Sequence, residues 1–515
     1  MGLARTRSVA LIGLAGSIVE VEADISSQLP GLRLIGLPDA ALAEAAERVR
    51  AAAKNSGCAL NPHKLTVNLS PAALRKHGSG FDLAIALACL AADGVVPAES
   101  VGAVLHIGEL ALDGRLRPTP GMLPAVIAAA RSGYRTVMVP AGNADEAALV
   151  PGIRVIGVAS LRDALIWHGA RLEPIAVDVL SAPAEEDSVD ESLDLIDVVG
   201  NDEAILALQV AAAGGHHVFM LGPPGAGKTM LAARLPGLLP DLGPAASLEV
   251  SSLRSLSGRP VGRSLITRPP LEAPHHTITA AAMVGGGSGQ IRPGAAARAS
   301  HGVLFLDEAP EFANATLQAL RQPLESGRVL LARARGNTEY PARVQVVLAA
   351  NPCPCANPAG DQFCGCTALA RRRYLARLSG PLMDRIDIQV GIQALGAAQL
   401  MTTTQTAEPS VVVAERVAKA RAAATARWSA AGWRVNAEVP GPALRRPPWQ
   451  LAARDTAALR AAMDRGALSA RGFDRILRLA WSIADLDGRD QPSGSDVNEA
   501  AQLRMGEAHD QREQD

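Results

Sequence analysis

The chain is short of aromatic residues: Phe, Trp and Tyr together supply 3% of its 515 positions. That argues against a base-stacking platform as the main mode of contact with a single strand. It also has no uninterrupted apolar run approaching the ~20 residues of a membrane-spanning helix, so no membrane partner is expected. Net charge is scarce as well, at −1, and any contact with nucleic acid must therefore be local. Only six cysteines occur. Four of them crowd between Cys353 and Cys366, which points to one local metal site and away from a secreted disulfide framework. Arg5 and Arg7 open the chain, but the apolar stretch behind them is broken by Gly13, Gly16 and Glu20. That makes a poor signal peptide, and the expected location is cytoplasmic.

What is present centres on Gly222-Pro223-Pro224-Gly225-Ala226-Gly227-Lys228-Thr229. This is the G-x-x-x-x-G-K-T phosphate-binding loop of nucleotide triphosphatases. The apolar run Val218–Leu221 before it reads as a buried strand, and a helical pattern follows from Met230. Glycines let backbone N–H groups wrap phosphates, and the helix N-terminus adds its positive end. Lys228 is placed for the β- and γ-phosphates of ATP and Thr229 for Mg²⁺.

A chain of this length predicts roughly two to four domains. Residues 1–175 alternate short strands with Ala-rich helical segments, among them Lys64–Leu69 and Thr136–Pro140 as strands and Phe81–Ala92 as a helix. Residues 176–196 are acidic and polar, a linker composition. Strand–helix alternation resumes over 197–395, and 396–515 reads as helical. The expected fold class is α/β multidomain: an α+β front domain, an α/β phosphate-loop core and a helical C-terminal lid.

Within the core, Val303–Leu306 is an apolar strand that ends in Asp307 and Glu308. A metal anchor and a general base at one strand end fit a ligand site of an open α/β sheet. Val344–Ala350 is a further buried strand ending in Asn351, placed to orient a water between Glu308 and the γ-phosphate. Cys353, Cys355, Cys364 and Cys366 form C-x-C-x8-C-x-C, able to hold a structural zinc; an iron–sulfur cluster or reduced thiols are alternatives. Glu325–Pro341 reads as a β-hairpin turning at Gly336-Asn337, with Arg333 and Arg335 alternating onto one face.

These stretches, with Ala273-Pro274-His275-His276, Pro310-Glu311-Phe312, Ser379–Asp387 and Leu468–Leu477, resemble the ComM/YifB group of magnesium-chelatase-like AAA+ ATPases. The resemblance spans nearly the whole chain. It implies an ATP-driven homo-hexameric ring, and a DNA helicase acting in branch migration during natural transformation. It implies that Arg385 is an arginine finger reaching a neighbour's γ-phosphate. It further implies that Arg471 is a second sensor on the lid, contacting nucleotide in the closed state. The hairpin, and the glycine-rich Met283–Arg292, would line the ring channel, with Arg333 and Arg335 gripping DNA phosphates. Trp481 stands where that group usually has Arg. Lys76–Asp82 and Gly108–Ala125 resemble the Lon protease domain fold. In that alignment the nucleophilic serine position is Gly80, the lysine position Leu123, and the next lysine Ala125. The front domain is therefore expected to be proteolytically inactive, with Ser79 left without a base. A protein-directed motor without a DNA substrate, and a poorly hydrolysing ATP-binding scaffold, are the rival readings.

Overall fold

The computed structural model describes residues 2–26, 31–36, 44–61, 63–72, 74, 76, 78–181, 193–287, 291–333, 336–357, 364–378, 380–394 and 407–505. Much of the acidic stretch expected as a linker lies outside these residues.

The front of the chain builds a seven-stranded sheet. Its order is Gly31–Ile35, Lys64–Ser70, Ala15–Ser26, Leu3–Ile12, Leu105–His106, Thr136–Pro140 and Arg154–Val158. The centre is a long antiparallel hairpin of Leu3–Ile12 and Ala15–Ser26, where the sequence suggested only a weak apolar stretch. Its signal is alternation. Val19, Val21, Ala23 and Ile25 are buried, and the intervening Glu20 and Glu22 face Arg7 and Arg5 across the strands at 3.1 and 2.7 Å. Opposite charges at directly paired positions favour this register. The helix Asp82–Ala92 is buried along its whole length against the sheet.

One buried polar chain crosses this core. Thr6 Oγ1 lies 2.7 Å from His106 Nδ1, His106 Nε2 lies 3.0 Å from His168 Nε2, and Ser100 Oγ lies 2.8 Å from His168 Nδ1. Thr6 donates its own hydroxyl to the Val101 or Val104 carbonyl. One proton arrangement satisfies every member: Ser100 donates to His168, His168 to His106, and His106 to Thr6. Both rings are then neutral.

The core is a five-stranded parallel sheet ordered Leu271–Glu272, Val303–Leu306, Gln345–Ala350, Val218–Leu221 and Ile388–Gly391. The three middle strands are almost wholly apolar because helices cover both faces. Asp202–Gly214 and Lys228–Leu238 pack in the cluster of Val218, Met220, Phe305 and Val347.

Helices Ser410–Trp428, Ala457–Asp464, Ala470–Leu486 and Gly494–Met505 form the C-terminal part. Ile476, Leu479, Ala480 and Ile483 face its interior. Trp428 packs edge-on to Trp449 and Trp481. The Arg427 guanidinium sits 4.3 Å over the Trp481 ring, so Trp481 is a core residue. No helix among the described residues is long and apolar enough to cross a membrane.

Candidate nucleotide site

Three neighbouring strands of the parallel sheet release their C-terminal ends side by side. Val218–Leu221 runs into the phosphate loop, Val303–Leu306 into Asp307 and Glu308, and Gln345–Ala350 into Asn351. Gly222 is buried against the neighbouring chain: an added Cβ would come 2.3 Å from the Ile392 carbonyl. Gly227 caps the following helix at φ 93°, a conformation that disfavours residues with a Cβ.

The side chains converge as the chemistry requires. Lys228 Nζ donates to the Gly222 and Pro223 carbonyls at 2.7 and 2.8 Å and to Asn351 Oδ1 at 3.0 Å. Thr229 Oγ1 donates to Asp307 Oδ2 at 2.8 Å. Two oxygens this close at a phosphate loop fit Mg²⁺, which takes a hydroxyl, a carboxylate's water shell and substrate phosphates. Glu308 adopts φ 50°, unusual for a residue with a side chain, and its N–H donates to Asp307 Oδ1 at 2.9 Å. Its Oε2 lies 3.3 Å from His276 Nδ1. Sequence reasoning had noted His276 only as part of a motif and assigned it no role.

Arg385 and Arg471 lie elsewhere. Arg385 precedes Ile388–Gly391, whose strand runs parallel to Val218–Leu221. It therefore sits at the N-terminal edge of the sheet, while the phosphate loop leaves the C-terminal edge, at least ~10 Å away along the strand. There Arg385 pairs with Glu325, Arg471 lies 3.5 Å from Asp384, and Arg475 lies 2.7 Å from Asp387. Burial, and then the guanidinium groups of Arg321, Arg475 and Arg471, lower the pKa of Arg385. Burial alone would raise the Asp387 carboxyl; bonding to His216 and the charge of Arg475 outweigh it and hold the carboxyl well below its usual range. His216 in turn lies 2.8 Å from Ser482 of the helix Ala470–Leu486, so this helix and the Arg385 loop share one buried network.

The four sulfurs of Cys353, Cys355, Cys364 and Cys366 lie within 4.8 Å of one another. A tetrahedral Zn–S site has edges of about 3.8 Å, so the donor set fits a thiolate-bound metal. Cys353 is two residues beyond Asn351 and buried; burial pushes its thiol up to about 12. The Cys366 N–H bond brings Cys364 down to about 6.

The hairpin forms as Arg328–Arg333 and Gly336–Pro341, with Arg328 opposite Pro341 and Arg333 opposite Gly336. The expected turn is thereby corrected: Gly336 and Asn337 are strand residues, opposite Arg333 and Ala332. The reason is pairing. Val329 and Tyr340 face each other and are both buried, which fixes the register from the open end of the hairpin. Arg335 and the side chain of Arg333 lie outside the described residues.

Residues 194–400 match the family model for magnesium chelatase, subunit ChlI; residues 21–143 match that for subunit ChlI of Mg-chelatase; and residues 407–504 match that for the ChlI C-terminal region. Fold and site thus define a magnesium-chelatase-like AAA+ protein, a class that supports ATPase activity. An uncharacterized protein of Mycobacterium tuberculosis is 52% identical over 506 residues, covering 98% of this chain and 99% of its own. Competence protein ComM of Haemophilus influenzae is 38% identical over 95% of each chain. The uncharacterized protein YifB of Escherichia coli is 38% identical over 98% of this chain and 97% of its own. The chain belongs to the ComM/YifB family of magnesium-chelatase-like AAA+ proteins. A Lon protease of Mycolicibacterium smegmatis is 31% identical over 32% of this chain.

Proposed function

We propose that the protein is an ATP-hydrolysing homo-hexameric motor that moves on DNA and remodels branched or displaced strands. Gly222 to Thr229 hold the ATP phosphates, Lys228 bonds the β- and γ-phosphates, and Thr229 with Asp307 hold Mg²⁺. Glu308 takes the proton of the attacking water, with Asn351 orienting that water. When bound, Mg²⁺ neutralises charge developing on the phosphoryl oxygens.

One observation carries the reading: the phosphate loop and the Arg385 cluster stand on opposite edges of one parallel sheet. A guanidinium there cannot meet its own subunit's nucleotide but suits a neighbour's in a head-to-tail ring. We extend this to Arg471, which shares the cluster with Arg385, and assign both to the neighbour's γ-phosphate. Arg333 and Arg335 on the channel hairpin, with the loop between Met283 and Arg292, grip DNA phosphates without reading sequence. The relative named for competence supports a role in DNA uptake or recombination. The domain bounds 1–175, 176–196, 197–395 and 396–515 serve this reading. The front domain, with Gly80, Leu123 and Ala125 at the positions of protease chemistry, does not cleave peptides. The four cysteines hold a structural zinc.

The test is the ATPase rate with and without forked DNA across a salt series. Stimulation that weakens as salt rises is expected, because phosphate contacts release counterions. Unchanged turnover at every salt concentration would favour a protein-directed motor, which the magnesium chelatase models along the chain also accommodate.

A further inference from the structure

The motor leaves the front domain without a task, yet that domain reaches the hairpin. The tip of its long hairpin carries Leu11, near the end of the first strand, and the turn residues Gly13 and Leu14. Leu11 and Leu14 pack in one apolar cluster with Leu253, Leu256, Leu331 and Tyr340. Leu331 and Tyr340 belong to the two strands of the channel hairpin. Tyr340 is fully buried although its hairpin has only two strands. Its hydroxyl donates at 2.6 Å to the Ile291 carbonyl, at the exit of the glycine-rich loop. Gly13 touches the same strand. It holds φ +61°, and an added Cβ would come 3.0 Å from Thr338 Cγ2 and 3.1 Å from the Glu339 carbonyl.

A second attachment lies beside the first. The helix Pro244–Leu256 of the core accepts the Gly121 N–H on the Ser255 carbonyl at 2.9 Å and the Leu123 N–H on Ser255 Oγ at 3.3 Å. A Cβ on Gly121 would fall 2.6 Å from Leu11 Cδ1 and 3.1 Å from Leu256 Cδ1. The segment aligned with the protease lysine is therefore bonded to the motor, and the same leucines complete both attachments.

A two-stranded hairpin is marginal by itself in water and cannot transmit force unless its base is fixed. We propose that the front domain is a brace: its Leu11–Leu14 turn positions the channel hairpin, and through Tyr340 the glycine-rich loop, so that both respond to a bound nucleic-acid strand as one body. The link to nucleic acid rests on the hairpin reading above; the brace itself does not. Leu14 is a positioning residue that touches no nucleotide.

The test uses the full chain carrying Leu14→Asp or Gly13→Val, with Leu14→Ala and Tyr340→Phe as milder variants. Hydrogen exchange is followed over 328–341, with 345–350 and the buried helix 82–92 as internal references. Exchange in the hairpin is expected to rise roughly tenfold or more with both references unchanged. In Leu14→Asp the DNA-stimulated ATPase is expected to fall several-fold while the rate without DNA stays at wild type. Hairpin exchange equal to wild type in Leu14→Ala and Gly13→Val, with helix 82–92 still protected, would overturn the brace. A loosened hairpin with undiminished DNA stimulation supports the brace and overturns the DNA role of the hairpin.

Discussion

Glu308 stands in a left-handed backbone conformation between Asp307, which accepts its N–H, and His276, which faces its carboxylate. Strain of this kind persists where the surroundings enforce it. Glu308→Gln is expected to keep ATP binding and assembly while turnover falls at least ~100-fold, the usual weight of a general base. Turnover near wild type would remove Glu308 from that role. Most of this site could be read from the sequence, because wrapping a phosphate demands glycines and a lysine within a few positions. The pairings of His276 with Glu308 and of Glu325 with Arg385 could not: each joins residues far apart in the chain. Nothing local in those residues signals the contact.

The buried pair His106 and His168 gives a second residue-scale expectation. Burial, and then His168, hold His106 well below its ordinary pKa, and burial brings His168 down to about 4. Unfolded rings protonate near 6.5 while these do not. The contribution of this pair is complete above pH 6.5 and is lost as pH falls toward 4, by about 1.4 kcal/mol per pH unit for each ring; Asp82, whose carboxyl burial pushes up to about 6, opposes part of that loss below pH 6. Exchange protection of helix 82–92 between pH 7 and 5, corrected for intrinsic rates, reads this. His168→Gln should reduce the slope.

At the scale of elements, continuous apolar strands beside a phosphate loop revealed the parallel sheet, and Val218–Leu221 and Thr136–Pro140 form as the sequence suggests. The long hairpin Leu3–Ser26 was hidden because Glu20, Glu22 and the glycines dilute its apolar signal; only its alternation, and charges paired across strands, betray it. The hairpin of Arg328–Arg333 and Gly336–Pro341 shows the opposite error. Gly336 drew the turn toward itself, whereas the register set by the buried pair Val329–Tyr340 makes it a strand residue opposite Arg333. The cysteine cluster adds a prediction at this scale. Metal analysis of purified protein is expected to find about one zinc per chain, as a site with four protein thiolates requires. Cys355→Ser with Cys364→Ser should lose it. Because Cys353 follows Asn351 so closely, the same variant should also raise the KM for ATP. A metal-free wild-type protein with intact thiols would exclude the zinc.

At the scale of the whole molecule, the sheet separates what one subunit offers from what it needs. The phosphate loop, Asp307, Glu308 and Asn351 share one edge; Arg385 occupies the other, where Arg471 and Arg475 of the helix Ala470–Leu486 reach Asp384 and Asp387, and Ser482 reaches His216. The helix Ala470–Leu486 and the loop that carries Arg385 are therefore joined through buried side chains. The sequence supplied the motifs on both edges. Only the strand directions place the phosphate loop and Arg385 at opposite edges.

The most direct measurement mixes two inactive proteins, Lys228→Ala and Arg385→Ala. Alone, each is expected to lose ATPase activity, the first for want of phosphate binding and the second for want of a neighbour's guanidinium. Randomly mixed in equal amounts in a closed ring, they restore an intact seam at about one junction in four, and a matching share of turnover should return. Co-assembled mixtures that stay inactive, or an Arg385→Ala protein that hydrolyses ATP at the wild-type rate, would contradict catalysis between subunits.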